Sequence, residues 1–402
     1  MSTGSSAIRR PWICREGGAG SVAELARQLD TPEVVARLLV DRGFSSLEDA
    51  RAFLEPRWSG LHDPSEIPDL DEAVDMILAV RDAAGTVAVF GDYDVDGISG
   101  SAILMEVFSH LGIQVISRLP HRVNEGYGLS TTAVEEFARQ EVDLIVTVDG
   151  GSNDGEAIGL AQELGLEVIV TDHHPIRNPA EGILLVHPDR PDRECLSVDL
   201  CGAGVAYKLA WAVAREAGGG GPVDEATRDL LVEMSSFAAL GTVADVVPLT
   251  GENRILVRHG LKILRSTRRP GLEALMDLCG IDRTHISSID IGFRIAPHLN
   301  AAGRIADASS ALELLTTREA HRGQELAREM ATYNRRRKEI EDEMVEACVE
   351  EVESGKHPAE GPLIFAREGW HTGVAGIVAS RISERQGRPT WVLCIDGDEA
   401  RG

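Results

Sequence analysis

The feature that most constrains the fold is an alternation of short apolar runs with amphipathic stretches, which begins near residue 84. The runs are rich in β-branched residues, as buried strands are. The stretches between them, such as TTAVEEFARQ, have the apolar spacing of helices. This alternation predicts an α/β fold with a mostly parallel sheet covered on both faces. The expected strands lie at 87–90, 113–119, 143–149, 167–172 and 182–187.

Different patterns flank the predicted sheet. A long charged stretch, roughly 317–353, predicts a helix that is too polar for a core and therefore bridges two domains. A second α/β segment starts at PLIFA (362–366) and continues through TWVLCI (390–395). The expected organisation is an N-terminal helical region at 1–80, a sheet domain at 81–305, a connecting helix at 306–355 and the start of a second α/β domain at 356–402.

The stretch VAVFGDYDVDGISG places Asp92, Asp94 and Asp96 on alternate positions directly after the first predicted strand. Alternating aspartates also begin EF-hand calcium loops, but such a loop needs a glutamate at its twelfth position and a helix before it. The twelfth residue here is Ile103, and an apolar strand precedes the motif. We therefore interpret the three carboxylates as part of a strand-to-helix turn, the place where open α/β sheets bind ligands.

More acidic and imidazole groups follow later strands or tight turns. Because parallel strands end on one edge of a sheet, these groups can converge although they are far apart in the chain. Carboxylates with imidazoles and no thiolate favour Mn²⁺ or Mg²⁺, and a bridging carboxylate such as Asp149 can hold two ions. Taken alone, each motif is also explained by a helix cap or by turn chemistry. The further groups are Asp149, Asp172, His173, His174 and Asp245.

Composition limits the class of protein. No apolar run approaches the ~18 residues of a membrane span, and the first residues lack the apolar core of a signal peptide. Six cysteines without a CxxC pair disfavour a zinc site or a disulfide framework, so we expect a cytoplasmic protein. A net charge of -25 opposes general phosphate binding, although local basic patches remain possible. Candidates for such patches are Arg265, Arg268, Arg269, Arg335, Arg336 and Arg337.

GDYDVDG, VTVDGGS, VTDHHP and GTVADVVPL resemble the four consecutive motifs of the DHH phosphoesterase family. HRVNEGYGLS, HLNAAGRIADASSALELL and GWHTGVAGIVASRI resemble, more narrowly, the branch of bacterial single-strand-specific 5′→3′ exonucleases, and the likeness covers nearly the whole chain. The resemblance implies that 81–305 is a DHH phosphoesterase domain and that 356–402 begins a DHH-associated domain. It also implies a hydrolase that releases 5′-mononucleotides from single-stranded DNA in repair and recombination.

The resemblance also implies roles for individual residues at a catalytic centre with two metal ions, Mn²⁺ or Mg²⁺. Relatives can carry a histidine four positions before the first liganding aspartate. Phe90 stands there and cannot coordinate, so one ion is expected to be held more loosely. The implied metal ligands are Asp94, Asp96, Asp149, His173 and Asp245, with Asp92 and His174 supporting them by charge and hydrogen bonding or as outer ligands.

Four further residues are implied to contact the substrate. Arg122 and Tyr127 are expected at the 5′-terminal nucleotide, and Arg304 at a phosphate near the metals. His371 lies in a turn that opens a predicted helix, where an anion is favoured. The alternatives are a surface ion pair for Arg122, a core or loop anchor for Tyr127, and close glycine packing around His371.

Some segments depart from familiar patterns. GAGVAYK (202–208) resembles a dinucleotide-binding loop, but Tyr207 occupies the third glycine position, so we predict a core helix. Gly150 is unusual between the metal-motif aspartate and its glycine, and it is expected to loosen that turn. The chain stops at DGDEARG, before a glycine- and arginine-rich loop that the resemblance leads us to expect, so we interpret the second domain as incomplete.

Two other functions remain open from the sequence: a phosphodiesterase for short oligonucleotides, and a non-catalytic scaffold related to the exonucleases. The complete metal-binding set, apart from the Phe90 position, favours catalysis. The expected partners are single-stranded DNA, a helicase and a single-strand-binding protein, with no membrane and with a monomeric chain.

Overall fold

The computed structural model describes residues 19–122, 125–177 and 179–402, so residues 1–18 of the predicted N-terminal region lie outside the description. The chain divides into two compact units, the first ending at Leu61 and the second beginning at His62.

The first unit packs short amphipathic helices around a small core. Ser46 begins the last of them, since its hydroxyl accepts a hydrogen bond from Asp49 N (3.0 Å). The rings of Phe44 and Phe53 stack 4.3 Å apart beside this core. The helices are α1 (Ala19–Leu29), α2 (Glu33–Asp41) and α3 (Leu47–Leu54), followed by a 3₁₀ turn at Trp58–Gly60.

The second unit is built on a five-stranded parallel sheet in the order β2-β1-β3-β4-β5. All five strands coincide with predicted apolar runs, and the α/β fold class with a parallel sheet is confirmed. The strands are β1 (Thr86–Gly91), β2 (Gln114–Arg118), β3 (Leu144–Val148), β4 (Glu167–Thr171) and β5 (Leu184–Val186).

Helices cover both faces of this sheet, which is why β3 is buried along its whole length. One face packs on the helices that carry Phe137 and Ile158, and the other packs on the helices Val95–His110 and Gly202–Ala217. The helices up to the long connection are α4 (Leu70–Asp82), α5 (Val95–His110), α6 (Thr131–Arg139), α7 (Gly155–Glu163), α8 (Gly202–Ala217), α9 (Glu225–Ala244), α10 (Gly251–Ser266), α11 (Pro270–Leu278), α12 (Ser288–Asp290), α13 (Ala296–Ile305) and α14 (Ser309–Thr316). A π-helical segment, Ile291–Ile295, joins α12 to α13.

The long predicted helix is α15 (Ala320–Glu353), which begins at residue 320 and not at 317. Its first half packs against α11, α13 and α14. Its second half contributes Met344, Val345 and Cys348 to a second, smaller core. The helix therefore bridges two cores, and its polar composition conceals an apolar stripe on each half.

The smaller core belongs to a three-stranded sheet covered by α16 (Thr372–Gln386). Its strands β6 (Leu363–Glu368) and β7 (Thr390–Asp396) are parallel and lie at the predicted apolar runs. The antiparallel strand β8 (Glu399–Arg401) has no counterpart in the predictions, because three exposed residues carry no apolar alternation. Within the described ranges, no helix has the length and apolar character needed to cross a membrane.

Candidate metal centre and active site

The sheet brings two aspartates together because the strands they follow are neighbours. β1 and β3 adjoin where the strand order reverses, which is where open α/β sheets form ligand crevices. The ladder continues past the strands: Asp92 N donates to Val148 O (3.1 Å) and Asp149 N donates to Thr171 O (3.0 Å). Asp92 and Asp149 are thereby fixed side by side at the carboxyl edge.

The turn after β1 leads directly into α5, and Asp94 caps that helix. Asp94 Oδ1 accepts hydrogen bonds from Asp96 N (2.9 Å) and Gly97 N (3.3 Å). Gly97 is required because a Cβ there would lie 2.4 Å from Asp92 N. The motif is thus a tight strand-to-helix turn, which excludes the helix–loop–helix arrangement of an EF-hand.

Asp149 is buried and has a backbone conformation that side chains rarely adopt, with φ at 64°. A non-glycine residue in the left-handed region is strained, and such strain is concentrated at functional sites. Gly202 packs against it, since a Cβ on Gly202 would lie 2.5 Å from Asp149 Cβ. The surrounding structure therefore imposes this position on the carboxylate.

The amino end of α8 holds Asp96. Gly202 N donates to Asp96 Oδ2 (2.6 Å) and Ala203 N donates to Asp96 Oδ1 (2.9 Å). Unpaired amides and the helix dipole both stabilise a carboxylate at such a position. The sequence predicted α8 only as a core helix, and it is one. The sequence did not predict that this helix supports Asp96. The small residues of GAG, at the start of the helix, were the one sequence feature that pointed to it.

His173 lies at the centre of the carboxylates. Its Nε2 is 3.1 Å from Asp149 Oδ1, 3.7 Å from Asp96 Oδ2 and 3.8 Å from Asp245 Oδ2. Burial lowers the pKa of His173, which favours the neutral imidazole that binds metals.

Asp172 orients both histidines, a role that the sequence did not assign to it. Its carboxylate accepts hydrogen bonds from His173 N (2.7 Å), from Ser152 N (3.1 Å) and from His174 Nδ1 (2.9 Å). Burial acts to raise the pKa of Asp172, but these bonds outweigh it and lower the pKa to about 2. Asp172 therefore stays ionised and fixes the His174 ring, whose own pKa its hydrogen bond raises.

Asp245 reaches the same edge from a helix and not from a strand. It is the residue that ends α9, with its amide bonded to Gly241 O (2.9 Å). Gly241 has room for no side chain, because a Cβ would lie 2.3 Å from Asp96 Oδ1. Burial together with Asp96 and Asp94 raises the pKa of Asp245 to about 7.

The donor atoms form a site that fits divalent cations. Within the described part of the chain, the buried atoms Asp92 Oδ1, Asp149 Oδ1 and His173 Nε2 have no hydrogen-bond partner. The last two lie 3.1 Å apart but are not aligned for a hydrogen bond. Three overlapping groups have ligand atoms within 4.8 Å of one another: Asp92 with Asp94 and Asp149; Asp96 with His173 and Asp245; and Asp149 with His173 and His174.

Electrostatics point to the same conclusion. Burial and the charge of Asp94 raise the pKa of Asp92 to about 8. Burial, with the charges of Asp96 and Asp94, raises the pKa of Asp149 well above its usual range, and burial also raises the pKa of Asp94. These carboxylates are mutually repulsive when ionised, and divalent cations among them would reverse the shifts.

Phe90 offers no ligand atom to the metal centre. It is buried in the core of the sheet and packs edge-to-face on Phe137, with ring centroids 6.4 Å apart. The position that carries a histidine in some relatives is here part of the hydrophobic core.

Tyr127 and Arg122 line the approach to the metal centre. The Tyr127 hydroxyl donates to Asp149 O (3.0 Å) and lies 3.0 Å from His174 Nδ1, while its side chain remains 49% exposed. The Arg122 guanidinium lies over the Tyr93 ring, 4.5 Å from its centroid. The hydroxyl of Tyr127 is thus anchored, and the exposed remainder of its ring is available for a ligand.

Arg304 and His371 lie where the sheet domain meets the second core. Arg304 Nη1 donates to Gly373 O (3.0 Å), and burial with the nearby Arg122 and Arg337 lowers the pKa of Arg304 to about 10. His371 caps α16, with its Nδ1 accepting from Gly373 N (3.1 Å). Close glycine packing is also present, since a Cβ on Gly373 would lie 2.3 Å from Arg304 O.

Asn300 was missed by the sequence reasoning. Its side-chain oxygen accepts from Val95 N (3.0 Å), and Gly303 approaches so closely that a Cβ would lie 2.5 Å from Tyr93 O. The NAAGR segment therefore attaches α13 to the turn that carries Asp92, Asp94 and Asp96. It also places Arg304 beside that turn.

Arg269 does not contribute to the basic patch that was predicted for it, although Arg265 and Arg268 are exposed. Arg269 is only 1% exposed and pairs with Glu106 (2.8 Å) and Glu233 (2.8 Å), so its charge is neutralised inside the protein. In the second cluster, Arg337 is bonded to Glu341 (2.7 Å), which reduces that patch as well.

A parallel α/β sheet with buried carboxylate and imidazole atoms at its carboxyl edge defines the class of protein, which is that of the DHH phosphoesterases. Sequence comparison agrees with this class. The model of the DHH family, N-terminal domain, matches residues 86–242. The chain belongs to the DHH family.

Within that family its relatives carry the name RecJ, and the expected likeness is confirmed. The chain is 36% identical to the single-stranded-DNA-specific exonucleases RecJ of Bacillus subtilis and Salmonella typhimurium, over 98% and 96% of its length. It spans 48% of the Bacillus protein and 67% of the Salmonella protein. The crystal structure of RecJ from Thermus thermophilus in complex with Mn²⁺ superposes with a TM-score of 0.80 and 32% identity, over 94% of this chain and 53% of that one.

Proposed function

We propose that the chain is a metal-dependent exonuclease that hydrolyses single-stranded DNA from its 5′ end to 5′-mononucleotides, in DNA repair and recombination. One observation carries the proposal: carboxylate and imidazole groups converge at the carboxyl edge of the sheet, and three of their buried atoms lack hydrogen-bond partners among the described residues. The RecJ relatives bear the name of single-stranded-DNA-specific exonucleases, and a manganese-bound RecJ shares the fold.

Two Mn²⁺ or Mg²⁺ ions fit this donor set, which is rich in oxygen and contains no thiolate. Bound there, the ions would lower the pKa of a water and would stabilise the negative charge that develops on the phosphodiester. One group of ligands is Asp92, Asp94 and Asp149; the other is Asp96, His173 and Asp245. His174 supports them through its bond to Asp172.

The substrate is held by groups beside the metal centre. Arg304 is a partly buried cation, and the partial desolvation of its charge strengthens its attraction to a phosphate. Arg122 lies above the Tyr93 ring, and Tyr127 offers its exposed ring to the terminal base. His371 at the start of α16 would meet a phosphate further along the strand.

The test is hydrolysis of an end-labelled 40-nucleotide single strand in Mn²⁺, with the matching duplex as a second substrate. We expect mononucleotides from the single strand only, and strong inhibition when the 5′ end is blocked by phosphorothioates but not when the 3′ end is blocked. His173→Ala should abolish the activity, whereas Glu163→Gln, on the exposed surface of α7, should not change it.

Other outcomes would contradict the proposal in separate ways. Faster hydrolysis of dinucleotides than of the 40-nucleotide strand would identify an oligonucleotide phosphodiesterase. No Mn²⁺ binding in calorimetry would identify a scaffold.

We further propose that the chain acts as a monomer. A helicase would supply the single strand by unwinding duplex, and a single-strand-binding protein would keep it unpaired. The site of action is the cytoplasm. In this arrangement, 81–305 is the phosphoesterase domain and 306–355 connects it to the DHH-associated domain. The helical region predicted at 1–80 divides at Leu61, because the residues from His62 onward belong to the second compact unit.

A further inference from the structure

Asp154 uses its side chain in an unusual way. It immediately precedes α7, where an aspartate ordinarily accepts hydrogen bonds from the first amides of its own helix. Its side chain caps none of the described amides of α7. Instead, Asp154 Oδ2 accepts from Leu129 N at 2.6 Å, across to the loop that carries Tyr127.

The backbone of that loop is shaped around the carboxylate. Gly128 has φ at +86°, and a Cβ there would lie 2.4 Å from Asp154 Oδ2 and 2.6 Å from Asp154 Oδ1. Both oxygens therefore face Gly128, and a residue with a side chain would be excluded by strain and by contact. Two adjacent loop residues, Gly128 and Leu129, are thus fitted to one carboxylate.

The loop is fastened at a second point on the same turn. The Tyr127 hydroxyl donates to Asp149 O, five residues before Asp154. Leu129, the residue bonded by Asp154, is itself buried in the sheet core. Tyr127 is therefore held from both sides: its hydroxyl by the metal-ligand residue, and its following backbone by Asp154.

We propose that Asp154 is a positioning residue that holds the loop of Tyr127 against the metal-binding turn and thereby sets the affinity for the terminal nucleotide. The inference deepens the proposed function and rests on it. Asp154 touches neither the reacting atoms nor the metal ligands' donor atoms, so its removal acts through the loop.

Strand β3, which leads into the turn of Asp149 and Asp154, has a matched control residue at its other end. Asp143 precedes β3, and its Oδ2 accepts from Thr86 N (2.8 Å). Gly85 faces that carboxylate too, since a Cβ there would lie 2.6 Å from Asp143 Oδ2. Asp143 thus makes the same kind of contact at the opposite edge of the sheet, away from the candidate active site.

The experiment compares Asp154→Ala, Asp154→Asn and Asp143→Ala in the full chain. In Asp154→Ala we expect KM for the single strand to rise by about 10-fold with kcat within about twofold, because binding and not chemistry is affected. Asp154→Asn keeps an acceptor oxygen and should restore KM to within about threefold of the parent. Asp143→Ala should leave KM unchanged, and Mn²⁺ affinity by calorimetry should be the same in all variants.

Combining substitutions tests whether Asp154 acts through Tyr127. The effect of Tyr127→Phe on KM should be smaller in the Asp154→Ala background, because the effects of substituting two residues that fix one loop are not additive. Equal KM changes in Asp154→Ala and Asp143→Ala, or additive effects with Tyr127→Phe, would overturn the proposal. A loss of Mn²⁺ affinity in Asp154→Ala would overturn it as well.

A measurement without substrate separates this inference from the proposed function. Amide hydrogen exchange in peptides covering 125–130 should be faster in Asp154→Ala than in the parent, and unchanged in Asp143→Ala. If the parent chain hydrolyses no single strand, the proposed function fails while the exchange result still decides whether the loop is clamped. Unchanged exchange in Asp154→Ala would refute the clamp.

Discussion

An aspartate lies at each end of strand β3, one exposed and hydrogen-bonded, the other buried and strained. Asp143, just before the strand, is exposed, and its carboxylate accepts one hydrogen bond from Thr86 N. Asp149, just after it, is buried with φ at 64°, and its Oδ1 has no hydrogen-bond partner among the described residues. Five buried residues separate a carboxylate that ties strands together from one that is strained and repelled by its neighbours.

The difference shows that the carboxyl edge of the sheet contains groups that destabilise the folded chain. Burying an unpaired carboxylate among others of like charge destabilises a protein unless the charge is neutralised by protons or cations. The raised pKa of Asp149, caused by burial and by Asp96 and Asp94, expresses that cost in the metal-free state. The amino edge of the sheet has no such requirement. A carboxylate there contributes a local hydrogen bond, so the two edges respond differently to substitution.

The largest expected effect comes from Asp149→Asn. Hydrolysis of single-stranded DNA in Mn²⁺ should fall on the order of 1,000-fold, because a ligand of the proposed ions is lost and with it several kcal/mol of transition-state stabilisation. The metal-free variant should be more stable than the parent by about 1 kcal/mol, since repulsion is relieved. Hydrolysis rates and thermal unfolding in EDTA measure the two effects.

Asp143→Asn is the control for that comparison, with unchanged hydrolysis expected. If Asp149→Asn kept the parental rate, the assignment of the carboxyl edge as the metal centre would be wrong. If it unfolded more easily without metal, the interpretation of Asp149 as a repelled carboxylate would be wrong.

Metal should stabilise the parent more than it stabilises the variant. A ligand that binds only the folded state adds about 2.7 kcal/mol at 100 times its dissociation constant, which corresponds to a rise on the order of 5 °C in Tm. We expect that rise with Mn²⁺ in the parent and in Asp143→Asn, and most of it to be absent in Asp149→Asn. Differential scanning fluorimetry with and without EDTA provides the measurement. Identical shifts in all three proteins would mean that the ion binds elsewhere.

Gly202→Ala tests how tightly the carboxyl edge is packed. The added Cβ would lie 2.5 Å from Asp149 Cβ, and α8 also supplies the amides that hold Asp96. We expect a loss of about 1–3 kcal/mol in the free energy of unfolding and a decrease in hydrolysis of about 10-fold, because ligand positions shift. Urea unfolding and single-strand hydrolysis give the two values.

The matched control is Gly159→Ala in α7, where a Cβ meets no described atom within 4 Å outside its own helix backbone. It should stabilise the protein by about 0.5–1 kcal/mol, since alanine restricts the unfolded chain. A Gly202→Ala variant as stable and active as Gly159→Ala would show that the edge tolerates displacement.

The sequence made the strands predictable because each lies in a short apolar run, and the position of Asp149 followed from the end of such a run. Asp245 was predicted to follow a strand or a tight turn, but it caps the carboxyl end of a helix, a location that no periodicity marks. The support of Asp96 by α8 depends on tertiary contact between segments 106 residues apart, which local patterns do not encode. Arg269 was misjudged because charge spacing along a chain carries no information about burial.

The smallest expected effect returns to the amino edge. Asp143→Ala removes the acceptor for Thr86 N, so we expect a loss of about 0.5–1.5 kcal/mol in the free energy of unfolding, the scale of one backbone hydrogen bond. Hydrolysis should remain within about twofold of the parent, because Thr86 lies at the start of β1 and the proposed ligands follow its end. Urea unfolding and hydrolysis, measured on one preparation, test both statements. A large loss of activity without a loss of stability would mean that the edges are coupled through β1 and β3, and the comparison between them would have to be abandoned.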